Sequence, residues 1–154
     1  MSNTRRTPTP TNAQKDEFIR WINAGVVHQV QEMLETNRRL ANIISSRGDT
    51  ALILAIQEGT ERVIRLLMEY GADPNKASRS DGTTPLMTAA SNNSTSIMRL
   101  LFQNGANNVN AINREGWTAL MFAVSFTRYR DMVKLLIERG ASVNMQNDHQ
   151  ETAL

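Results

Sequence analysis

The sequence predicts an all-α solenoid of stacked helix-turn-helix units with hairpin-like connections. The first observation is a phrase that returns every 34 residues, at Thr50-Ala51-Leu52, Thr84-Pro85-Leu86, Thr118-Ala119-Leu120 and Thr152-Ala153-Leu154. The second is a Gly-Ala pair in phase with it, at Gly71-Ala72, Gly105-Ala106 and Gly140-Ala141. Self-similarity at such a period indicates one small supersecondary unit, copied and stacked.

The first helix of each unit is predicted to begin beside the recurring threonine. A threonine before an apolar run offers its hydroxyl to the free N–H groups of the first turn. Pro85 stands where a missing N–H costs nothing. Small residues follow inside each helix, at Ala55, Ala89 and Ala123. We therefore expect the two helices of a unit to approach closely.

The second helix of each unit is predicted from apolar residues at helical spacing. These residues are Ile64 and Leu67, Met98 and Leu101, and Val133 and Leu136. Each helix is expected to end at the following glycine, because glycine, and less readily asparagine, tolerates the left-handed backbone of a helix end. Asn37 stands one interval before Gly71 and is expected to end the second helix of the first unit. Between the two helices, Gly25 and Gly59 are replaced in the third unit by Asn93.

These residues carry a resemblance to the ankyrin repeat over residues 13 to 154. It rests on Gly82-x-Thr84-Pro85-Leu86-x-x-Ala89-Ala90 with Leu100-Leu101 and Gly105-Ala106, and on Gly116-Trp117-Thr118-Ala119-Leu120-Met121 leading to Leu135-Leu136 and Gly140-Ala141. Ankyrin repeats have about 33 residues. The extra residues are placed in the connection 76–81, at Asn107 or Asn108, and between the helices of the fourth unit, around 126–130.

One departure from the ankyrin pattern changes the expected packing. The histidine that usually follows the Thr-Pro-Leu phrase is replaced by Ile53, Met87 and Met121. A Thr-to-His hydrogen bond is therefore absent, and we expect the units to depend more on apolar packing.

The predicted organisation is a disordered tail followed by one repeat domain. The tail covers residues 1–12, a capping repeat 13–45, three repeats 46–79, 80–112 and 113–146, and the start of a truncated repeat 147–154. Because the chain stops three residues into a first helix, we expect a fragment of a longer protein. Leu120 and Leu136 are then expected to be less well covered than Leu52 and Leu67.

Composition narrows the function classes. The 154 residues are 40% hydrophobic, with no run near the roughly 20 apolar residues of a membrane span. Residues 1–12 lack the apolar stretch of a secretory signal, and the chain has no cysteine, so we expect a cytoplasmic or nuclear protein. A net charge of +2 does not indicate a nucleic-acid-binding surface.

No catalytic, metal or cofactor site is predicted. The two histidines, His28 and His149, have no second ligand at a metal-binding spacing. The glycines belong to helix ends at repeat intervals, and no phosphate-binding loop is present. The sequence therefore predicts neither an enzyme nor a small-molecule substrate.

The resemblance implies a binding surface for a protein partner. In ankyrin proteins the connection tips and the exposed side of the first helices line a concave groove. Carried over unit by unit, the predicted contact residues are Arg47, Asp49, Asp81, Thr83, Arg114, Glu115, Trp117, Phe126 and Tyr129. The aromatic fourth unit is the strongest candidate, since interface energy concentrates in Trp, Tyr and Arg. The alternative is that Trp117 packs along the next connection and Phe126 fills the space made by the inserted residue.

The favoured function is a scaffold or adaptor that binds a protein. One alternative is the regulatory or targeting arm of a larger enzyme, such as a kinase or ubiquitin ligase, with its catalytic domain beyond residue 154. Another is association with RNA or DNA through the arginines, which would weaken steeply with salt. The segment Arg5-Arg6-Thr7-Pro8-Thr9-Pro10 is either a kinase-accessible tail or a disordered lead-in.

Overall fold

The computed structural model describes residues 7–125 and 130–153 and shows four stacked helix pairs. The helices are α1 (Asn12–Asn23), α2 (Val27–Thr36), α3 (Ala51–Glu58), α4 (Glu61–Glu69), α5 (Pro85–Ser91), α6 (Thr95–Gln103), α7 (Ala119–Ser125) and α8 (Arg130–Glu138), with a 3₁₀ helix at Arg38–Asn42. The first helices α1, α3, α5 and α7 stack in order, α2 packs on α4, and α6 packs on α8. Between 7 and 125 and between 130 and 153 there is no strand beyond one isolated bridge, from Ile44 to Thr50. The predicted all-α solenoid is confirmed.

The recurring threonines begin the first helices, as predicted. The Oγ1 atoms of Thr50, Thr84 and Thr118 accept hydrogen bonds from the N–H groups three residues later, at 3.1, 3.3 and 3.2 Å. Pro85 is the first residue of α5. Each bond gives a partner to one of the N–H groups that a helix start leaves unpaired.

Two methionines add a contact that the sequence did not indicate. The sulfur of Met87 accepts a hydrogen bond from the N–H of Thr84 at 3.4 Å, and the sulfur of Met121 accepts one from Thr118 at 3.5 Å. Both methionines are also buried in the core. A thioether is a weak acceptor, so the side chains that replace the family's histidine contribute a polar contact as well as apolar packing.

The backbone at the predicted helix ends is left-handed, with one exception. Asn93 has φ +53° and Gly59 φ +71°, as the Gly-to-Asn replacement predicted. Asn37 ends α2, as predicted, but the left-handed backbone expected there is wrong: its φ is −148° and its backbone is extended. Its buried carboxamide accepts a hydrogen bond from the N–H of Arg39 and donates one to the carbonyl of Pro8, so it also begins the 3₁₀ helix.

Matching leucines form the centre of each unit. Leu52 and Leu67 are at most 1% exposed, and the same is true of Leu120 and Leu136 in the fourth unit. The expectation that Leu120 and Leu136 would be less well covered is therefore wrong. These side chains belong to one core cluster that runs through all the units and includes the buried Ala153.

The residues that do lose cover at the last unit occupy other positions. Val133 is half-buried, whereas Ile64 and Met98, at the matching positions of α4 and α6, are fully buried. Ile137, one turn later in α8, is 47% exposed. These two side chains therefore lie on the face that the next unit of a solenoid would cover.

Asparagine side chains connect each unit to the next. The amide nitrogen of Asn42 donates to the carbonyl of Gly71 at 2.6 Å, and its oxygen accepts the N–H of Asp73 at 2.9 Å. Asn75 makes the same pair of bonds with Gly105 and Asn107, at 3.1 and 2.9 Å. Asn110 repeats it with Gly140 and Ser142, at 3.0 and 2.7 Å. We call these residues the asparagine braces; the next asparagine in register, Asn144, is exposed.

Residues 7–11 were assigned to the disordered tail, but in the structure they lie against the first helix pair. Pro10 is buried, and the carbonyl of Pro8 accepts the bond from Asn37 at 2.8 Å. Nη1 of Arg39 donates to Oγ1 of Thr9 at 3.3 Å. Thr11 then caps α1 in a reciprocal pair of hydrogen bonds with Gln14. We call residues 7–11 the N-terminal strap.

Candidate protein-binding surface

The described part of the predicted contact set lies on hairpin tips between the units. The four tips are residues 45–49, 78–83, 113–117 and 147–151. A backbone hydrogen bond closes each one: from Ser45 to Asp49 and from Ser78 to Thr83 at 2.8 Å, and from Asn113 to Trp117 and from Asn147 to Glu151 at 3.0 Å. We call this set of hairpins the tip row.

Neighbouring tips are joined backbone to backbone. The N–H of Arg79 donates to the carbonyl of Gly48 at 2.9 Å, that of Arg114 to Asp81 at 2.8 Å, and that of Asp148 to Glu115 at 3.1 Å. Because main-chain bonds fix the spacing of the hairpins, their side chains are held in a defined row before any partner arrives. Such preorganisation lowers the entropy cost of binding.

Charged side chains of both signs lie along the tip row. Arg47, Arg114 and Glu115 are exposed. The carboxylate of Asp81 accepts the N–H and the hydroxyl of Thr83 at 2.9 and 2.8 Å, which fixes its orientation. Nη2 of Arg114 donates to the carbonyl of Arg79 at 2.9 Å. Asp49 is half-buried, so this member of the predicted set is less accessible than its neighbours.

Trp117 is half-buried at the fourth unit. Its backbone N–H donates to the side-chain oxygen of Asn113 at 2.9 Å, and the centroid of its ring lies 5.1 Å from that of Phe122. It lines a cavity of about 210 Å³, whose other lining residues are Met121, Val124, Ser125, Asn147, Glu151 and Thr152. Trp117 therefore packs beside the next connection and also lines an open space. Phe126 and Tyr129 lie outside the described residues.

The exposed ends of the first helices lie in register behind the tips. Gln57, Ser91 and Ser125 occupy this position in α3, α5 and α7. Asn92, which sequence reasoning placed among the variable groove positions, donates to the carbonyls of Ile56 and Gln57 at 2.8 and 3.3 Å. It covers the carbonyl end of α3 from the neighbouring unit and so has a structural contact.

Sequence reasoning missed one exposed residue of the tip row. Arg79 precedes Asp81 by two residues, and its side chain is exposed. Arg79 is the second residue of its hairpin, as Arg114 is, and each donates its backbone N–H to the preceding tip. The extra residue in hairpin 78–83 puts Arg79 three residues before Gly82, whereas Arg114 is two before Gly116, so the unit-by-unit transfer passed over it. The regular placement of a cation near a carboxylate in successive tips was the signal that could have found it.

The described residues show neither a metal site nor a membrane-spanning helix. No group of three or more His, Asp or Glu side chains there is arranged to hold a metal ion. No helix among those described is long and apolar enough to cross a membrane.

Two family models match the chain. The model described as "Ankyrin repeats (3 copies)" matches residues 72–147, and the one described as "Ankyrin repeat" matches residues 47–79. The chain belongs to the ankyrin repeat family. The matches to ankyrin repeats begin at α3 and leave the pair α1–α2 outside. A search of curated proteins found no match. Ankyrin repeats are generally protein–protein interaction modules without catalytic activity.

Proposed function

We propose that this ankyrin repeat chain is a non-enzymatic scaffold or adaptor. It binds a protein partner along the groove between the tip row and the exposed ends of the first helices. The observation that carries the proposal is the row of main-chain-linked tips, since it presents seven predicted contact residues in one fixed line. They are Arg47, Asp49, Asp81, Thr83, Arg114, Glu115 and Trp117.

The charge pattern favours a protein over a nucleic acid. Each of the first three tips carries one arginine and one carboxylate: Arg47 with Asp49, Arg79 with Asp81, and Arg114 with Glu115. A polyphosphate chain would be repelled by three of these six groups, whereas a protein surface offers both signs of charge. We further propose that the interaction takes place in the cytosol or nucleus, since the sequence has no cysteine from which an extracellular disulfide framework could form.

The cavity beside Trp117 supplies the proposed anchor. Buried aromatic contacts dominate the energy of many interfaces, while polar groups at the rim contribute little. Phe122 supports the ring from one side, and the other lining residues leave room for an apolar side chain of the partner.

The test immobilises the parent chain, Trp117→Ala and Ser91→Ala separately and captures binding proteins from a cell extract on each. The extract is treated with nuclease, so that proteins retained through RNA or DNA are removed. The affinity of each protein that the parent retains is then measured for the parent and for both variants. We expect Trp117→Ala to weaken binding about 30-fold, or ~2 kcal/mol. Ser91→Ala is the control for a polar group at the rim of the proposed groove, because Ser91 is exposed at the end of α5 and its hydroxyl donates to the carbonyl of Thr88 in its own helix. Its affinity should change less than about threefold.

A thermal melt of each variant separates binding from folding. An unchanged melting temperature with reduced affinity supports the anchor. Loss of affinity in parallel with melting temperature would assign Trp117 to structure. Equal affinity of all three proteins would remove this cavity from the interface.

A further inference from the structure

The N-terminal strap holds an exposed threonine beside an arginine. The hydroxyl of Thr9 accepts a hydrogen bond from Nη1 of Arg39 at 3.3 Å, and both residues are exposed. Pro10 follows directly and is buried, which anchors the strap at that point. We propose that Thr9 is a phosphorylation site for a proline-directed kinase, and that Arg39 binds the phosphate and clamps the strap to the first helix pair.

The strap is accessible to a kinase. Before Pro10, side-chain hydrogen bonds from Asn37 to Pro8 and from Arg39 to Thr9 hold it to the 3₁₀ helix. A segment held by so few hydrogen bonds opens locally at a small free-energy cost, so Thr9 and Pro10 can leave this surface together and enter an active site. The proline after it keeps Thr9 in an extended backbone, and Arg5 and Arg6 precede it in the sequence.

The chemistry is an ordinary phosphoryl transfer from ATP. The Oγ1–P bond forms as the bond between the γ-phosphorus and the bridging oxygen breaks, ADP leaves, and the hydroxyl proton passes to the base of the kinase. The product carries a charge of about −1.5 to −2 and three strong acceptor oxygens. On return to the strap position, these oxygens meet the guanidinium that already donates to Oγ1.

Thr7 is the competing acceptor, and its surroundings differ. It is also followed by a proline, but it is half-buried. It lines a cavity of about 450 Å³ together with Glu35, Glu69 and Arg38. A phosphate there would lie near two carboxylates, and the guanidinium of Arg38 lies over the Tyr70 ring, 5.9 Å from its centroid. Like-charge repulsion therefore opposes a bound phosphate at Thr7.

The experiment treats the full chain with ATP and a proline-directed kinase, and mass spectrometry locates the phosphate. Thr7→Ala leaves Thr9 as the one strap threonine followed by proline, and Thr9→Ala leaves Thr7; Thr11 is followed by Asn12. We expect phosphate on Thr9 and a melting temperature raised by about 2–4 °C in the phosphorylated Thr7→Ala protein. The rise in melting temperature should shrink in 1 M salt, because the Debye length there is only about 3 Å and the attraction between phosphate and guanidinium is screened.

Two arginine variants test the clamp. Phosphorylated Arg39→Ala should melt no higher than its unmodified form, while phosphorylated Arg38→Ala should keep the rise. The proposal is overturned by phosphate confined to Thr7, by a melting temperature that stays the same or falls after Thr9 is modified, or by a rise that survives Arg39→Ala.

Discussion

Gly48 lies where two hairpins meet backbone to backbone. A Cβ added there would lie 2.8 Å from the amide nitrogen of Ser80, closer than Cβ atoms approach backbone. Gly71 has a similar φ, +88° against +96°, and a Cβ there would meet nothing within 4 Å. We expect Gly71→Ala to cost about 1–2 kcal/mol from the left-handed backbone alone. Gly48→Ala should cost about 1–3 kcal/mol more, because the hairpins must also move apart.

Urea denaturation of the two glycine variants measures this difference directly. The strain from φ is nearly matched between them, so the contact with Ser80 remains as the difference. Equal losses of unfolding free energy would mean that the hairpins separate without cost, and that the main-chain bonds between tips do not hold the row.

At the scale of single residues, the sequence predicted the contacts that lie close along the chain. The threonine caps, the proline at the start of α5 and the left-handed Asn93 all follow from local stereochemistry. Asn37 and Asn92 were misread, because their bonding partners are Pro8, 29 residues earlier, and Ile56, 36 residues earlier. A pattern of residue types within one unit carries no information about such partners.

At the scale of helices and connections, the asparagine braces hold neighbouring units in register. The side chain of Asn75 donates to the carbonyl of Gly105 and accepts from the N–H groups of Asn107 and, at 3.4 Å, Asn108, so alanine there removes three inter-unit hydrogen bonds. We expect Asn75→Ala to lower the free energy of unfolding by about 1–3 kcal/mol. Asn144→Ala is the matched control, since Asn144 has the same place in its unit but its side chain makes no hydrogen bond to another described residue; it should change stability by less than about 0.5 kcal/mol.

Chemical denaturation of the two asparagine variants distinguishes a brace from a surface residue. Comparable losses would show that asparagine acts within its own connection and not between units. The helices themselves were predictable from apolar spacing, but the braces were not, because a recurring polar residue in a connection looks the same whether it faces water or the next unit. Their recurrence at 33–35 residues was the available signal.

At the scale of the whole molecule, stability is the sum of units and of the faces between them. The sequence predicted incomplete cover at the last unit, but placed it on Leu120 and Leu136, which are fully buried. On α8 the less covered apolar residues are Val133 and Ile137; the counterpart of Val133 in α6, Met98, is fully buried, and α6 packs on α8. Apolar content alone could not separate residues that pack within a unit from those that pack between units.

Adding a further helix pair after α8 tests whether Val133 and Ile137 lie on a face that another unit covers. Leu154 is in register with Leu86, so a copy of residues 87–112 added after Leu154 completes a fifth helix pair. We expect the extended chain to melt several degrees higher, because Val133 and Ile137 become covered. The copied Gly105 would fall 29 residues after Asn144, which is the separation between Asn42 and Gly71. Its carbonyl would therefore be in position to accept a brace hydrogen bond from Asn144.

The extension should also change the effect of one substitution. Asn144→Ala, nearly silent in the parent, should cost about 1–3 kcal/mol in the extended chain, since its carboxamide then braces the new unit as Asn75 braces α6. The cost is read as the difference in unfolding free energy between extended chains with and without the substitution. An extended chain that melts higher but stays indifferent to Asn144→Ala would show that apolar cover suffices. One that melts no higher would show that the α8 face does not accept an ankyrin unit.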